Sequence, residues 1–236
     1  MFGKKSAPWV SAVVAAAGAS GRMEGIDKQS AEIDDMPVIA HSVRALMGCK
    51  LIREVVLVCP PQQVGHYYDI VSEYDLHLVS QVIGGGATRQ ASVFAGVEAC
   101  DGQAAYFAIH DGARPLVSPG EVSACVDAAI AHGAAALGVQ PKDTLKRVDE
   151  NGVITGTISR DSTVAIHTPQ VFEAKIYRQA MALARHEARD YSDDCQLVER
   201  LGNKVRVVPG SYENIKITTP MDLTIARALL GGGDIW

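Results

Sequence analysis

A chain of 236 residues can bury roughly 70–75% of the surface its unfolded form exposes, so one packed domain forms without disulfides or a structural metal. Its 47% hydrophobic and 21% charged residues are ordinary globular composition, and no apolar run reaches the roughly 20 residues a membrane span needs. A net charge of −5 argues against a general nucleic-acid binder, so any phosphate recognition must be local.

The first eight residues carry Lys4 and Lys5 but no apolar stretch with a cleavage site, so no signal peptide is expected. Trp9 to Ala17 reads as a first strand. It runs into Ala15-Ala16-Ala17-Gly18-Ala19-Ser20-Gly21-Arg22-Met23, with Lys28 soon after. Small residues there let backbone N–H groups approach an anion, and Arg22 and Lys28 add the charge a triphosphate requires, so the segment reads as a phosphate cradle. A P-loop would need Gly-Lys-Ser/Thr at its end. The dinucleotide fingerprint would need Gly-x-Gly-x-x-Gly with an acidic residue closing the next strand, where Cys59-Pro60 stands instead.

Ile39, Val43, Leu46 and Met47 share one helical face, after which Glu54 to Cys59 and His77 to Ile83 read as strands. A second glycine turn, Gly84 to Gly86, opens a helix with Arg89 and Ser92 in its first turn and Ala87, Ala91, Phe94 and Val97 on one face. Ala104 to His110 is a strand that ends abruptly in Asp111-Gly112-Ala113-Arg114-Pro115, where Asp111 could hold Mg²⁺ or a ribose hydroxyl. Ala134 to Gln140 is the next strand. Asp143 to Val148 and Val153 to Ile158 then form extended segments around Asn151-Gly152, a hairpin arm expected to project from the sheet. Lys204 to Val208 is a last strand, and Thr219 before Pro220, with Asp222 in the first turn, starts a final helix running to Leu230.

Strands alternating with helices predict a single α/β domain over 1–236, with a Rossmann-like, mostly parallel sheet flanked by helices and a projecting β-hairpin arm at about 142–170. Ligands of such sheets bind outside the carboxyl ends of the strands, so the two glycine turns and Asp111 should converge at one edge. Five cysteines (Cys49, Cys59, Cys100, Cys125, Cys195) are odd in number and never form a Cys-x-x-Cys pair, which fits a reducing cytoplasm.

In order and spacing, several segments together resemble the 2-C-methyl-D-erythritol 4-phosphate cytidylyltransferase family from about Val10 to Leu229. They are residues 15–18, Gly21-Arg22-Met23, Lys28-Gln29, Gly85-Gly86 through Arg89 and Ser92, Asp111 to Pro115, Asp143-Thr144, Thr168-Pro169-Gln170 and Asn214 to Thr218. The resemblance implies CTP as donor, Mg²⁺ as the metal and pyrophosphate as product of a step in isoprenoid precursor synthesis, with Asp111 by the nucleotide and acceptor. It implies Arg22 and Lys28 on the triphosphate, Lys216 near the reacting phosphates, and Ala16, Ala17, Gly18, Gly85, Gly86, Arg89, Ser92 and Asp111 around the nucleotide. Thr144, Arg160 and Thr168 would hold the acceptor phosphate with Arg114 nearby, part of that shell coming from a partner's arm in a homodimer. No nucleic-acid or membrane partner is implied.

The chain departs from the family pattern at Asp27, where proline or a small polar residue is usual, and at Ser30 and Ala31, where bulkier residues are usual. Asp161 to Val164 likewise replace larger apolar residues. A cytidylyltransferase for another polyol phosphate, such as ribitol 5-phosphate, would share the nucleotide motifs and much of the acceptor shell. A non-catalytic nucleotide-binding homologue would not need Arg22, Lys28, Asp111 and Lys216 together.

Overall fold

The computed structural model describes residues 8–18 and 27–231. After β1 (Val10–Ala15), a two-residue pair, β2 (Glu32–Ile33) and β3 (Met36–Pro37), leads into α1 (Val38–Met47) and β4 (Ile52–Cys59). Next come α2 (Val64–Glu73), β5 (Val79–Gly84), α3 (Arg89–Ala99), β6 (Tyr106–Asp111), α4 (Pro119–His132) and β7 (Ala134–Val139). A separate hairpin, β8 (Lys146–Val148) and β9 (Ile154–Thr157), precedes β10 (Ala165–Glu173), α5 (Ala174–Glu187), α6 (Asp194–Arg200), β11 (Arg206–Pro209) and α7 (Pro220–Leu230).

Seven strands form one sheet in the order β11-β7-β10-β6-β1-β4-β5, parallel except for β10, which runs antiparallel to both neighbours. Side chains alternate across each strand, so β1 sends Ala12 and Val14 to one face and Val13 to the other, and β4 divides Val55 and Leu57 from Val56 and Val58. Helices α1, α2 and α4 cover the first face, and α3, α5 and α6 the second. Burial on both faces is why these strands read as continuous apolar runs. The chain moves from β1 outward through β4 to β5, then returns to place β6 on the other side of β1. That reversal opens a crevice at the carboxyl ends of the strands, where open α/β sheets take their ligands.

The expected mostly parallel sheet and hairpin arm are present, with one correction to the arm's extent. The last part of the 142–170 range, residues 165–170, belongs to the central sheet, because β10 pairs with both β6 and β7. Thr168-Pro169 conceals it in the sequence, since proline cannot donate to a ladder and argues against a central strand. The β7 ladder shifts register between Ile166 and Gln170, which accommodates Pro169 at an irregularity. The hairpin itself turns as expected: Gly152 has φ +79°, and Asp149 Oδ1 accepts the N–H groups of Asn151 and Val153 at 3.0 and 2.9 Å.

Candidate active site

A cavity of about 450 Å³ lies at that crevice, lined by the end of β1 (Ala15, Ala17, Gly18), the turn at Lys28 and Gln29, the loop from Gly86 into α3, the end of β6, and Lys216. A wider groove of about 660 Å³ sits at the opposite end of β6, around Tyr106, Lys175 and Arg178, away from both glycine turns.

Asp111 is the electrostatic centre of the crevice. Its Oδ2 accepts from Lys216 Nζ at 2.7 Å and lies 3.9 Å from Arg114 Nε, while Oδ1 accepts from Arg89 Nε at 3.2 Å. Burial alone would raise this carboxyl, but Arg89, Lys216 and Arg114 hold it well below the ordinary carboxylate range. It is therefore ionised at neutral pH.

Each partner is placed by its own element. Arg89 is the first residue of α3, behind the N-cap Thr88, whose hydroxyl accepts the Ala91 N–H at 3.1 Å. Lys216 sits between Ile215 and Ile217. The buried Ile217 packs with Ile33, Val38, Leu223 and Ala226, and its N–H donates to the Ala113 carbonyl at 2.8 Å. Below it, α7 starts where expected, and Thr219 and Asp222 form a capping box there. On the other side, Asn214 Nδ2 donates to the Thr168 carbonyl at 3.0 Å, and Arg114 Nη1 donates to the Asn214 carbonyl at 2.7 Å. Lys216 is thus anchored through Asn214 on one side and Ile217 on the other.

Five separated stretches of chain bring charge and small residues to one sheet edge. With that geometry in view, the comparisons with known proteins are specific. The sequence model of the family described as IspD, 2-C-methyl-D-erythritol 4-phosphate cytidylyltransferase, matches residues 10–232. The chain is 42% identical over 224 residues to the 2-C-methyl-D-erythritol 4-phosphate cytidylyltransferase of Pelotomaculum thermopropionicum, an alignment covering 94% of each. The chain belongs to this family. The crystal structure of 4-diphosphocytidyl-2C-methyl-D-erythritol synthase from Anaerococcus prevotii superposes with a TM-score of 0.85 at 30% identity, over 96% of this chain and 100% of that one. The cytidylyltransferase of Thermus thermophilus gives a TM-score of 0.76 at 31% identity, over 94% and 98%.

Of the residues the family resemblance singles out, Ala17, Gly18, Lys28, Gly86, Arg89, Ser92, Asp111 and Lys216 line the cavity together. Arg22 lies outside the described residues. Ala16 is buried behind the lining. Gly85 packs against the Ala17 and Ser92 side chains, where a Cβ would collide, and Ser92 Oγ accepts the Gly86 N–H at 3.1 Å. Ser92 therefore shapes the loop that lines the cavity.

The expected acceptor residues are not gathered there. Thr168 is 3% exposed, and its hydroxyl accepts the Asp111 N–H at 3.0 Å and meets His110 Nδ1 at 3.1 Å, so it fixes the end of β6. Arg114 is buried and turned toward Asn214 and Asp111. Thr144 and Arg160 are exposed at the foot of the arm, where Arg160 Nη1 donates to the Lys142 carbonyl at 2.7 Å and ties the two feet together.

The structure adds a residue that sequence reading missed. Asp194, with 1% of its side chain exposed, accepts from Arg89 Nη1 at 2.7 Å and from the Tyr177 hydroxyl at 2.5 Å. Its N–H, with that of Cys195, donates to Gln170 Oε1 at 3.1 and 3.2 Å. The available signal was the doublet Asp193-Asp194 at a helix start: Asp193 caps by accepting the Gln196 N–H, which leaves its neighbour to face inward.

Burial pushes the His110 imidazole down to about 4, with Asp111 opposing, and burial with Arg114 pushes His167 down to about 4. Unfolded histidines take up a proton near pH 6.5, well before these folded ones. Stability is therefore complete above pH 6.5 and declines as pH falls toward 4. Urea unfolding at pH 7, 5.5 and 4.5 should show this decline, flatter in His110→Gln. A variant as steep as the wild type would remove His110 as a source.

Proposed function

We infer that the chain transfers the cytidine monophosphate group of CTP to the phosphate of 2-C-methyl-D-erythritol 4-phosphate, yielding 4-diphosphocytidyl-2-C-methyl-D-erythritol and pyrophosphate. Together with family membership over residues 10–232, the observation that carries this reading is Lys28, Arg89, Lys216 and Asp111 meeting at the carboxyl edge between β1 and β6. An acceptor phosphate oxygen, already ionised near neutral pH, attacks the α-phosphorus in line, and the bond to the β-phosphate oxygen breaks to release pyrophosphate. No general base is required. The protein's task is to orient the reactants and neutralise growing negative charge.

In this reading Lys28 and Lys216, with Arg22, are the catalytic cations, and the small residues Ala17, Gly18 and Gly86 give the nucleotide close access to backbone. Asp111 keeps Lys216 and Arg89 at fixed places in the cavity, which limits reorganisation when the triphosphate arrives.

No group of three or more His, Cys, Asp or Glu side chains suited to a metal occurs among the described residues. Asp111 is a single hard oxygen donor kept ionised by its neighbours, which fits a Mg²⁺ that takes most of its ligands from phosphates. Asp111 would hold that ion. When bound, it would supply further neutralisation of phosphate charge.

The arm is assigned to a second copy of the chain. Val148, Val153 and Ile154 are each about 60% exposed on the hairpin, an apolar strip that the rest of the described chain leaves uncovered. Thr144 and Arg160 lie at its foot, so an arm reaching a neighbouring subunit would deliver them to the acceptor side of that cavity. No helix among the described residues is long and apolar enough to cross a membrane.

Parallel assays at saturating CTP with methylerythritol phosphate and ribitol 5-phosphate test the acceptor. We expect kcat/KM at least about tenfold higher for the branched acceptor, the discrimination typical of one alkyl contact. Faster pyrophosphate release with ribitol 5-phosphate would reassign the acceptor, and CTP binding without turnover on either would indicate a binding protein.

A further inference from the structure

Asp27 and Ser30, two of the places where this chain departs from its family's pattern beside Lys28, are bonded to each other. Ser30 Oγ donates to Asp27 Oδ2 at 2.9 Å, the Gln29 N–H donates to Asp27 Oδ1 at 3.1 Å, and the Ala31 N–H donates to the Asp27 carbonyl at 2.9 Å. On its other side Ser30 Oγ lies 3.1 Å from His66 Nε2 on α2. A serine hydroxyl has one proton, and here it goes to the carboxylate, so His66 must be the donor to Ser30. The result is a directed chain from His66 through Ser30 to Asp27, ending on a carboxylate that also accepts from the turn's backbone. Either the Nε2–H tautomer or the imidazolium can supply the first bond, so the chain does not depend on histidine charge.

The turn carried by this chain of bonds presents Lys28 and Gln29 to the cavity, whereas Asp27, Ser30 and His66 do not line it. Its C-terminal side is fixed by the Ile39 N–H donating to the Gln29 carbonyl at 3.1 Å and the Val38 N–H to the Ala31 carbonyl at 2.9 Å. Without the Asp27–Ser30–His66 links, the N-terminal side would lose its tie to α2, and Lys28 would have more conformations to give up on meeting a triphosphate.

We propose that Ser30, with Asp27 and His66, is a positioning residue that clamps the Lys28 turn to α2 and so presents the Lys28 ammonium to the nucleotide. This rests on the CTP-dependent function inferred above. Ser30→Ala removes both links, whereas Ser30→Thr keeps the hydroxyl. Ser30→Ala is expected to speed amide hydrogen exchange at Gln29 and Ala31 and to lower kcat/KM for CTP by about five- to tenfold, with Ser30→Thr restoring both. If the clamp acts through Lys28, Ser30→Ala costs nothing further in a Lys28→Ala background. Wild-type exchange in Ser30→Ala, unchanged kcat/KM, or an equal cost in both backgrounds would each overturn the proposal. Failure of the functional reading is distinguishable, because exchange at Gln29 and Ala31 is read without turnover.

Discussion

Replacing Lys216 with alanine is expected to lower kcat by about 10²- to 10³-fold, the usual cost of deleting one preorganised donor at a site of developing charge. The side chain is 38% exposed and pairs with Asp111 at 2.7 Å. Its removal leaves Asp111 with Arg89 at 3.2 Å and Arg114 at 3.9 Å, so no buried carboxylate is stranded. Loss of stability should stay within about 1 kcal/mol, because a partly exposed pair contributes little. Lys216→Arg should not restore full activity, since a planar fork cannot occupy the point position of an ammonium. Steady-state kinetics with urea unfolding separates the effects. A rise in KM for CTP at unchanged kcat would mean that Lys216 binds ground state and transition state equally.

The second large effect is on stability. Asp194→Ala leaves the Arg89 guanidinium with one carboxylate and the fully buried Tyr177 hydroxyl with no acceptor. Breaking a buried pair from one side costs about 3–5 kcal/mol. The Arg89 side chain is 29% exposed, which places the expected loss near the lower end. Asp194→Asn keeps an acceptor for Tyr177 and should cost less. Because Arg89 also reaches Asp111, both variants should lower kcat/KM for CTP, alanine more than asparagine. A loss of less than about 1 kcal/mol in urea unfolding of Asp194→Ala would show that Tyr177 and Arg89 find other partners or water.

Most of the sheet was readable because its strands are buried on both faces and bounded by glycine, proline or charge. The final helix was readable because Thr219, Pro220 and Asp222 are a complete start signal. β10 was hidden by Pro169 within it, and only the sheet shows that the ladder breaks at that point. Glycine, arginine, lysine and aspartate at strand ends marked the cavity, since charge following an apolar run has few structural explanations. Asp194 was not legible, because one of two adjacent aspartates caps α6 and only tertiary packing decides which one turns toward Arg89. The family motif assigns Thr168 and Arg114 to the acceptor, yet both are buried at the end of β6, where they bond to Asp111 and Asn214. A linear motif reports residue type and spacing; it does not report which side of the strand end a polar group faces.

The most direct test is phosphorus-31 NMR of the purified protein with CTP, Mg²⁺ and 2-C-methyl-D-erythritol 4-phosphate. The expected result is one pyrophosphate formed for each phosphodiester-linked cytidyl product, with both signals nearly abolished in Lys216→Ala. Release of inorganic phosphate or free CMP without the linked product, or equal product from the Lys216→Ala protein, would contradict a site built around Asp111 and its cations for transfer of CMP.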